Sequence, residues 1–311
     1  MARILVTGAA GFIGRALCRE LVERGHSVLG LTRTPVEPIA GVQLRPIGDI
    51  GLNTGWSRHL DGVEIVVHLA NRVRRRVWHG TGDDEAATAA ILARAAVGAG
   101  VHRFVHMSSV RAMGDATKPG MPFRCTDPAL PRNPYGRCKL AIEHALQAAT
   151  RGTALELVIL RPPLVYGPGV KANFRTLMQL TSRGLPLPLA GIDNRRSFIF
   201  LDNLVDLTAR ACLHPHATRH VLLARDPFDL STPELVRALA AGLGRPARLF
   251  AVPRAVFAAF RGLPGWGRLI SRLTLSLQVD DGETRAVLDW RPAVSPEIGL
   301  AITARAFREQ P

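Results

Sequence analysis

The sequence predicts an α/β fold in which a doubly wound parallel sheet is followed by a smaller C-terminal domain. Three observations carry this. Short β-rich runs, Arg3-Ile4-Leu5-Val6-Thr7 first among them, show no in–out alternation, as expected of parallel strands buried on both faces. Helical patterns separate these runs, so that strand and helix alternate repeatedly. The first strand also opens directly into Gly8-Ala9-Ala10-Gly11-Phe12-Ile13-Gly14, ahead of the first helix. Glycine spacing carries meaning in that strand–turn–helix setting.

Glycines at 8, 11 and 14 allow a tight turn, the close approach of a pyrophosphate, and close packing of helix on strand, with the helix N-terminus facing the phosphates. The turn makes the sheet Rossmann-like and marks Gly8, Gly11, Phe12, Ile13 and Gly14 as candidate cofactor contacts. A glycine-rich turn without a ligand is the plain alternative. The first helix, Arg15 to Arg24, is closed by Gly25. The second strand, Ser27 to Thr32, ends in Arg33, where an acid would hold the ribose 2′-hydroxyl of NAD. Thr32 and Arg33 suit a 2′-phosphate instead, which favours NADP(H) and leaves NAD(H) possible; Arg33 also reads as a solvated loop charge.

Asp49-Ile50 follow another short strand and are candidate adenine contacts, a turn aspartate being the alternative. Glu64 to Asn71 reads as the next strand, with Leu69, Ala70 and Asn71 where backbone meets the cofactor and His68 as a packed strand-end histidine. An Ala-rich helix from Asp83 to Ala99 precedes a strand, Arg103 to Ser109, that ends in the two hydroxyls Ser108 and Ser109. A helix from Pro134 and a strand from Leu155 to Arg161 continue the alternation.

The helix at Pro134 carries the residues of greatest chemical interest. Tyr135 and Lys139 in Asn133-Pro134-Tyr135-Gly136-Arg137-Cys138-Lys139 are four apart, which stacks them on one helical face. A phenol with a resting pKa near ~10 is a poor base at neutral pH. An ammonium held beside it favours the phenolate and brings it towards working range.

Composition bounds the rest. The chain has 311 residues, 47% of them hydrophobic, and no low-complexity segment, which describes a globular protein with a sizeable core. No apolar run reaches the ~18 residues of a membrane span. The N-terminus enters a strand at once rather than a secretory leader, so a cytoplasmic protein is expected. Cys18, Cys125, Cys138 and Cys212 are scattered, fitting reduced thiols and no metal site. The net charge of +15 invites a nucleic-acid reading. However, the excess is nearly all arginine spread along the chain, with one local run at Arg72, Arg74, Arg75 and Arg76. Aromatics are only 5%, and neither a stacking platform nor a recognition helix is present. No nucleic-acid partner is expected; a preference for anionic small ligands fits the charge.

The glycine motif in TGAAGFIG, Ala70 in HLAN, Ser109 in MSSV, Tyr135 and Lys139 in NPYGRCK, and Arg161-Pro162 with Tyr166-Gly167-Pro168 in RPPLVYGPG stand in a fixed order. Together they resemble the extended short-chain dehydrogenase/reductase family, the nucleotide-sugar epimerase/dehydratase group. The likeness covers essentially the whole chain.

The resemblance implies roles. Tyr135 would exchange a proton with the sugar C4 oxygen, Ser109 would hydrogen-bond that oxygen, and Lys139 would bind the nicotinamide ribose and depress the tyrosine pKa. Ser108 and Pro162 would join the cofactor contacts, and Val110 the substrate contacts. Asn173 and Arg196 would meet the diphosphate of a UDP-sugar, and Arg272 is the candidate for its nucleoside. Residues 1–165 would form the NAD(P)-binding domain and 166–311 mainly the substrate-binding domain, with about 198–224 returning to the first. Asp202 would stand near the cap of a helix through Leu213. A homodimer through the helices at Asp83 and Tyr135 is implied too.

Family dehydratases place an Asp-Glu pair after the hydroxyl residue; here Ser109 is followed by Val110-Arg111. C4 epimerisation and C4 ketone reduction remain, and the missing acid after Thr32 favours reduction of a UDP-4-keto-6-deoxy-N-acetylhexosamine, as in the bacterial surface-polysaccharide branch the sequence resembles. A 4-epimerase with tightly held NAD, and a non-catalytic NAD(P)-sensing or assembly protein, are the alternatives. The stretch from Ala255 to Leu277 reads as a packed helical lobe broken by Gly262, Pro264, Gly265 and Gly267, with a basic membrane-surface segment as the other reading.

Overall fold

A computed structural model describes residues 1–70, 83–218, 220–261 and 267–309. Asn71 and the arginine run from Arg72 to Arg76 lie outside them.

In chain order, β1 (Arg3–Thr7) leads through the glycine turn into α1 (Phe12–Glu23). There follow β2 (Ser27–Thr32), β3 (Val42–Pro46), the single turn α2 (Ser57–Leu60), β4 (Ile65–His68), α3 (Asp83–Gly98), β5 (Arg103–Met107), α4 (Pro134–Thr150) and β6 (Glu156–Arg161). The remainder is β7 (Leu164–Tyr166), α5 (Ala172–Ser182), β8 (Phe198–Phe200), α6 (Leu201–Leu213), β9 (Val221–Leu223), α7 (Thr232–Gly242), α8 (Arg254–Arg261), α9 (Gly267–Thr274), α10 (Gly282–Leu288) and α11 (Pro296–Glu309).

Seven strands form one parallel sheet in the order β3-β2-β1-β4-β5-β6-β9. Alternate residues of each central strand face opposite helical layers, which is why these strands read as unbroken apolar runs. Ile4, Val6, Val67, Val105 and Val158 pack with Leu17 and Leu21 of α1 and Leu204 and Leu207 of α6. Leu5, Val66, Phe104 and Ile159 pack with Ala89, Leu92 and Ala96 of α3 and Ile142 and Leu146 of α4. Strand β4 is shorter than its apolar run because Leu69 N–H and Ala70 N–H leave the ladder, donating to the Thr7 carbonyl (3.3 Å) and the Thr7 hydroxyl (3.2 Å).

The C-terminal half adds a two-stranded parallel pair, β7 with β8, and a cluster of Tyr166, Val170, Phe174, Phe200, Leu235 and Leu300. Phe12 of the glycine turn packs on this cluster and ties the lobe to the sheet. Tyr166 donates to the buried Asp226 (2.7 Å), which also accepts from Phe200 N–H (3.0 Å) and Asn203 (2.7 Å). Helix α6 runs to Leu213 as expected, with Asp202 in its first turn, two residues after the cap Phe200. Phe257 of α8 and Ile270 of α9 are buried with Leu189, Ile192 and Val236, the packing expected of a lobe. All four cysteines are unpaired. No helix of the described residues is long and apolar enough to cross a membrane.

Candidate active site

The strand order reverses between β1 and β4, and the carboxyl ends there open onto a cleft of about 720 Å³. Doubly wound sheets bind ligands at such a switch point. Gly8, Gly11, Phe12, Ile13 and Gly14 line the cleft, as do Thr32, Arg33, Asp49, Ile50, Leu69 and Ala70. Backbone crowding explains the glycines. Gly8 has φ +72°, and a Cβ there would stand 3.0 Å from Ala70 N, while a Cβ at Gly14 would overlap the Gly8 carbonyl oxygen. Gly11 N–H closes the turn on that same carbonyl at 2.9 Å. The cradle is therefore bare backbone and fits a pyrophosphate. At its far end Arg33 and Asp49, both exposed, approach to 3.9 Å. Thr32 differs from expectation: it is buried, and its hydroxyl donates to the Thr34 carbonyl at 2.9 Å. Its one proton is committed to its own turn, so of this pair only Arg33 has protons free for a phosphate.

Ser109, Tyr135 and Lys139 come together from two elements. Ser109 caps a single 3₁₀ turn, Val110–Ala112, its hydroxyl accepting from Arg111 N–H at 3.2 Å, while Val110 N–H donates to the Pro162 carbonyl at 2.9 Å. Asn133 caps α4 through Gly136 N–H (2.8 Å), with Pro134 in the first turn. Gly136 matters as much as the cap, because a Cβ there would overlap the Arg111 carbonyl oxygen. Its bareness lets α4 close against the serine turn, which brings the half-buried Tyr135 to Ser109.

Lys139 is buried. Its Nζ donates to the Met107 carbonyl at 2.9 Å, and Met107 lines the cleft. Burial pushes the Tyr135 phenol up, against the downward pull of Ser109 and of the Arg111 cation. The lysine is held at the end of β5. Burial pushes Lys139 itself down to about 8, against the upward pull of Cys138, Glu85 and Glu143.

Beneath these residues lies a buried polar floor. Ser108 donates its hydroxyl to Glu143 of α4, and Glu143 pairs with Arg161, whose Nε reaches it at 3.0 and 3.2 Å. Ser108 is buried in this floor, and the Pro162 carbonyl accepts from Val110 N–H beside it. His68 and His106 stack at 5.5 Å, His68 Nδ1 bonding the Thr7 hydroxyl at 2.9 Å. Burial pushes His68 down to about 3 and His106 well below its ordinary range, so both are neutral packing groups at pH 7.

Near Tyr135, three arginines from distant segments converge. The buried Arg196 donates to the Leu275 carbonyl at 2.8 Å, and burial, with the cations of Arg111 and Arg272, pushes it down to about 10. Arg111 is anchored by Asp115 at 3.1 Å. Sequence reasoning noted Arg111 only as a departure from the dehydratase pattern and missed Gly136 as a packing requirement. The one signal for Arg111 was its place two residues after Ser109. Val110 packs into a core cluster with Met113 and Leu277, and Asn173 is exposed in the first turn of α5.

The fold and these residues define a Rossmann-type protein with a Ser-Tyr-Lys constellation at its switch point. Residues 4–224 match the NAD dependent epimerase/dehydratase family, and the chain belongs to it. The UDP-glucose 4-epimerase of Vibrio cholerae is 38% identical over 98% of this chain and 95% of its own length. The NAD complex of UDP-glucuronic acid 4-epimerase from Bacillus cereus is similar in fold, with a TM-score of 0.79 at 23% identity, covering 99% of this chain and 96% of that one. MoeE5 in complex with UDP-glucose and NAD has a TM-score of 0.75 at 27% identity, covering 99% of each chain.

Proposed function

We propose that this enzyme moves a proton and a hydride at C4 of a UDP-hexose. The observation that carries the reading is the meeting of Ser109 with Tyr135, four residues along α4 from a Lys139 fixed on Met107, which lines the cleft. Tyr135 exchanges the proton of the C4 hydroxyl or ketone, and Ser109 holds the same oxygen. Lys139 reaches the ribose of the cofactor, while the glycine cradle receives its pyrophosphate. When bound, the dinucleotide supplies the hydride acceptor or donor for C4. Arg196 holds the sugar-nucleotide diphosphate, a role suited to a guanidinium, and Arg272 and Asn173 flank the nucleotide. The turn after Ser109 offers Val110 and Arg111 rather than carboxylic acids, which disfavours 4,6-dehydration.

Epimerisation at C4 on NAD is the form of this chemistry favoured by the full-length Vibrio cholerae relative. Net reduction of a 4-keto-6-deoxy-N-acetylhexosamine is the second reading. It is favoured by Arg33 at the end of β2, where a 2′-phosphate of NADPH would lie. Two assays separate them. Interconversion of UDP-glucose and UDP-galactose, or their N-acetyl forms, without net cofactor consumption supports the epimerase. Oxidation of NADPH at 340 nm with UDP-4-keto-6-deoxy-N-acetylglucosamine supports the reductase. Silence in both, with cofactor still bound, would sink the catalytic reading in favour of a sensing protein. We further propose that residues 1–165 with 198–224 bind the cofactor and 166–311 mainly the sugar, and that α3 and α4 pair in a homodimer; a monomeric mass by light scattering would overturn the dimer.

A further inference from the structure

The glycine cradle supplies backbone N–H groups to a pyrophosphate but no cation. Among the described residues lining the cleft, Arg33 sits at the far end beside Asp49, and Lys171 belongs to a different lobe. Lys171 immediately precedes α5, is exposed, and forms no ion pair among the described residues. Its place is firmly set. Val170 and Phe174, on either side of it, are buried in the cluster against which Phe12 of the glycine turn packs. Ala172, the next residue, has φ +57°, a left-handed conformation that a side chain with a Cβ adopts at a cost. Such backbone persists where surrounding packing over-determines it. Here it turns the chain between a lysine on the cleft wall and the buried Phe174.

We infer that Lys171 is a pyrophosphate-binding cation, supplied by the C-terminal lobe to the dinucleotide held in the glycine cradle. The inference rests on the cofactor reading above and adds a residue to it. Two negative phosphates over a cradle of neutral N–H groups leave charge uncompensated, and an ammonium reaching across from the other lobe meets it. The lobe carrying Lys171 also carries the candidate sugar-nucleotide residues, so cofactor binding would draw the two lobes together.

The test is calorimetric titration of wild type, Lys171→Gln and Lys171→Arg with NAD⁺, ADP-ribose, AMP and UDP. Lys171→Gln is expected to weaken NAD⁺ and ADP-ribose about tenfold, to flatten the salt dependence of both, and to leave AMP and UDP within about twofold. Lys171→Arg should recover most of the loss. Unchanged NAD⁺ affinity in Lys171→Gln would overturn the inference. So would a loss confined to UDP, which would assign the lysine to the sugar nucleotide's diphosphate. Wild-type protein that bound neither NAD⁺ nor NADP⁺ would overturn the cofactor reading itself, and the role of Lys171 with it.

Discussion

Between β1 and α1 the cleft is made of backbone, whereas the arginine cluster near Tyr135 is made of side chains from three distant segments. The first wall works because Gly8, Gly11 and Gly14 lack side chains, and its geometry is set within one strand–turn–helix unit. The second works because Arg111, Arg196 and Arg272 are brought close enough for their charges to oppose one another, with Arg196 pushed down to about 10. Holding like charges together in a partly buried place is unfavourable for the chain alone and becomes favourable when an anion arrives. The glycine turn should thus be intolerant of added atoms, and the arginine cluster of lost charge.

The sharpest break comes at the residue between the walls. Tyr135→Phe should lower kcat by about 10³ while NAD⁺ affinity stays within about threefold, read by steady-state kinetics and calorimetry. Retained turnover would remove Tyr135 from the chemistry. Next, Gly14→Ala places a Cβ on the Gly8 carbonyl and should weaken NAD⁺ about 100-fold in a chain that still melts cooperatively. UDP affinity should hardly move. The converse is Arg196→Met, which should weaken UDP roughly 10- to 30-fold and leave NAD⁺ unchanged. Arg111→Ala should cost UDP less, about threefold, yet shift the acid limb of the kcat–pH profile upward, because Arg111 helps hold the phenol down.

The smallest effect is on stability. Burial holds Lys139 at about 8, below its ordinary value, so the folded chain carries a desolvated ammonium at pH 7. Lys139→Met should raise stability there by about 1–3 kcal/mol while abolishing turnover. The sign follows from proton uptake. Between pH 8 and about 10.4 the unfolded chain binds more protons at this site, so wild-type stability rises with pH and the gain from the substitution fades. Denaturant melts at pH 7 and pH 10 check both halves.

The glycine turn, the buried strands and the Tyr135–Lys139 pair were legible because each is a short-range pattern: a spacing, a run, or one helical face. Where the Lys139 ammonium rests was not legible, for a tertiary reason. Four residues along a helix place the two side chains on one face, but the Met107 carbonyl at the end of β5 captures the ammonium. Thr32 misled similarly, since only the folded turn shows its hydroxyl donating to Thr34. Arg111 was noted only as a departure from an acidic pair, because its place two residues after Ser109 does not by itself tell what its guanidinium meets in space.

By itself, the sequence determined the α/β class, the family and the identity of the Ser-Tyr-Lys residues, because backbone bareness, strand burial and helical spacing are properties of neighbours along the chain. Only the tertiary structure decided where Lys139 rests, and that Arg111, Arg196 and Arg272 share one place. Electrostatic interaction falls with distance through space, and distances between remote segments exist only once the sheet and its lobes have packed.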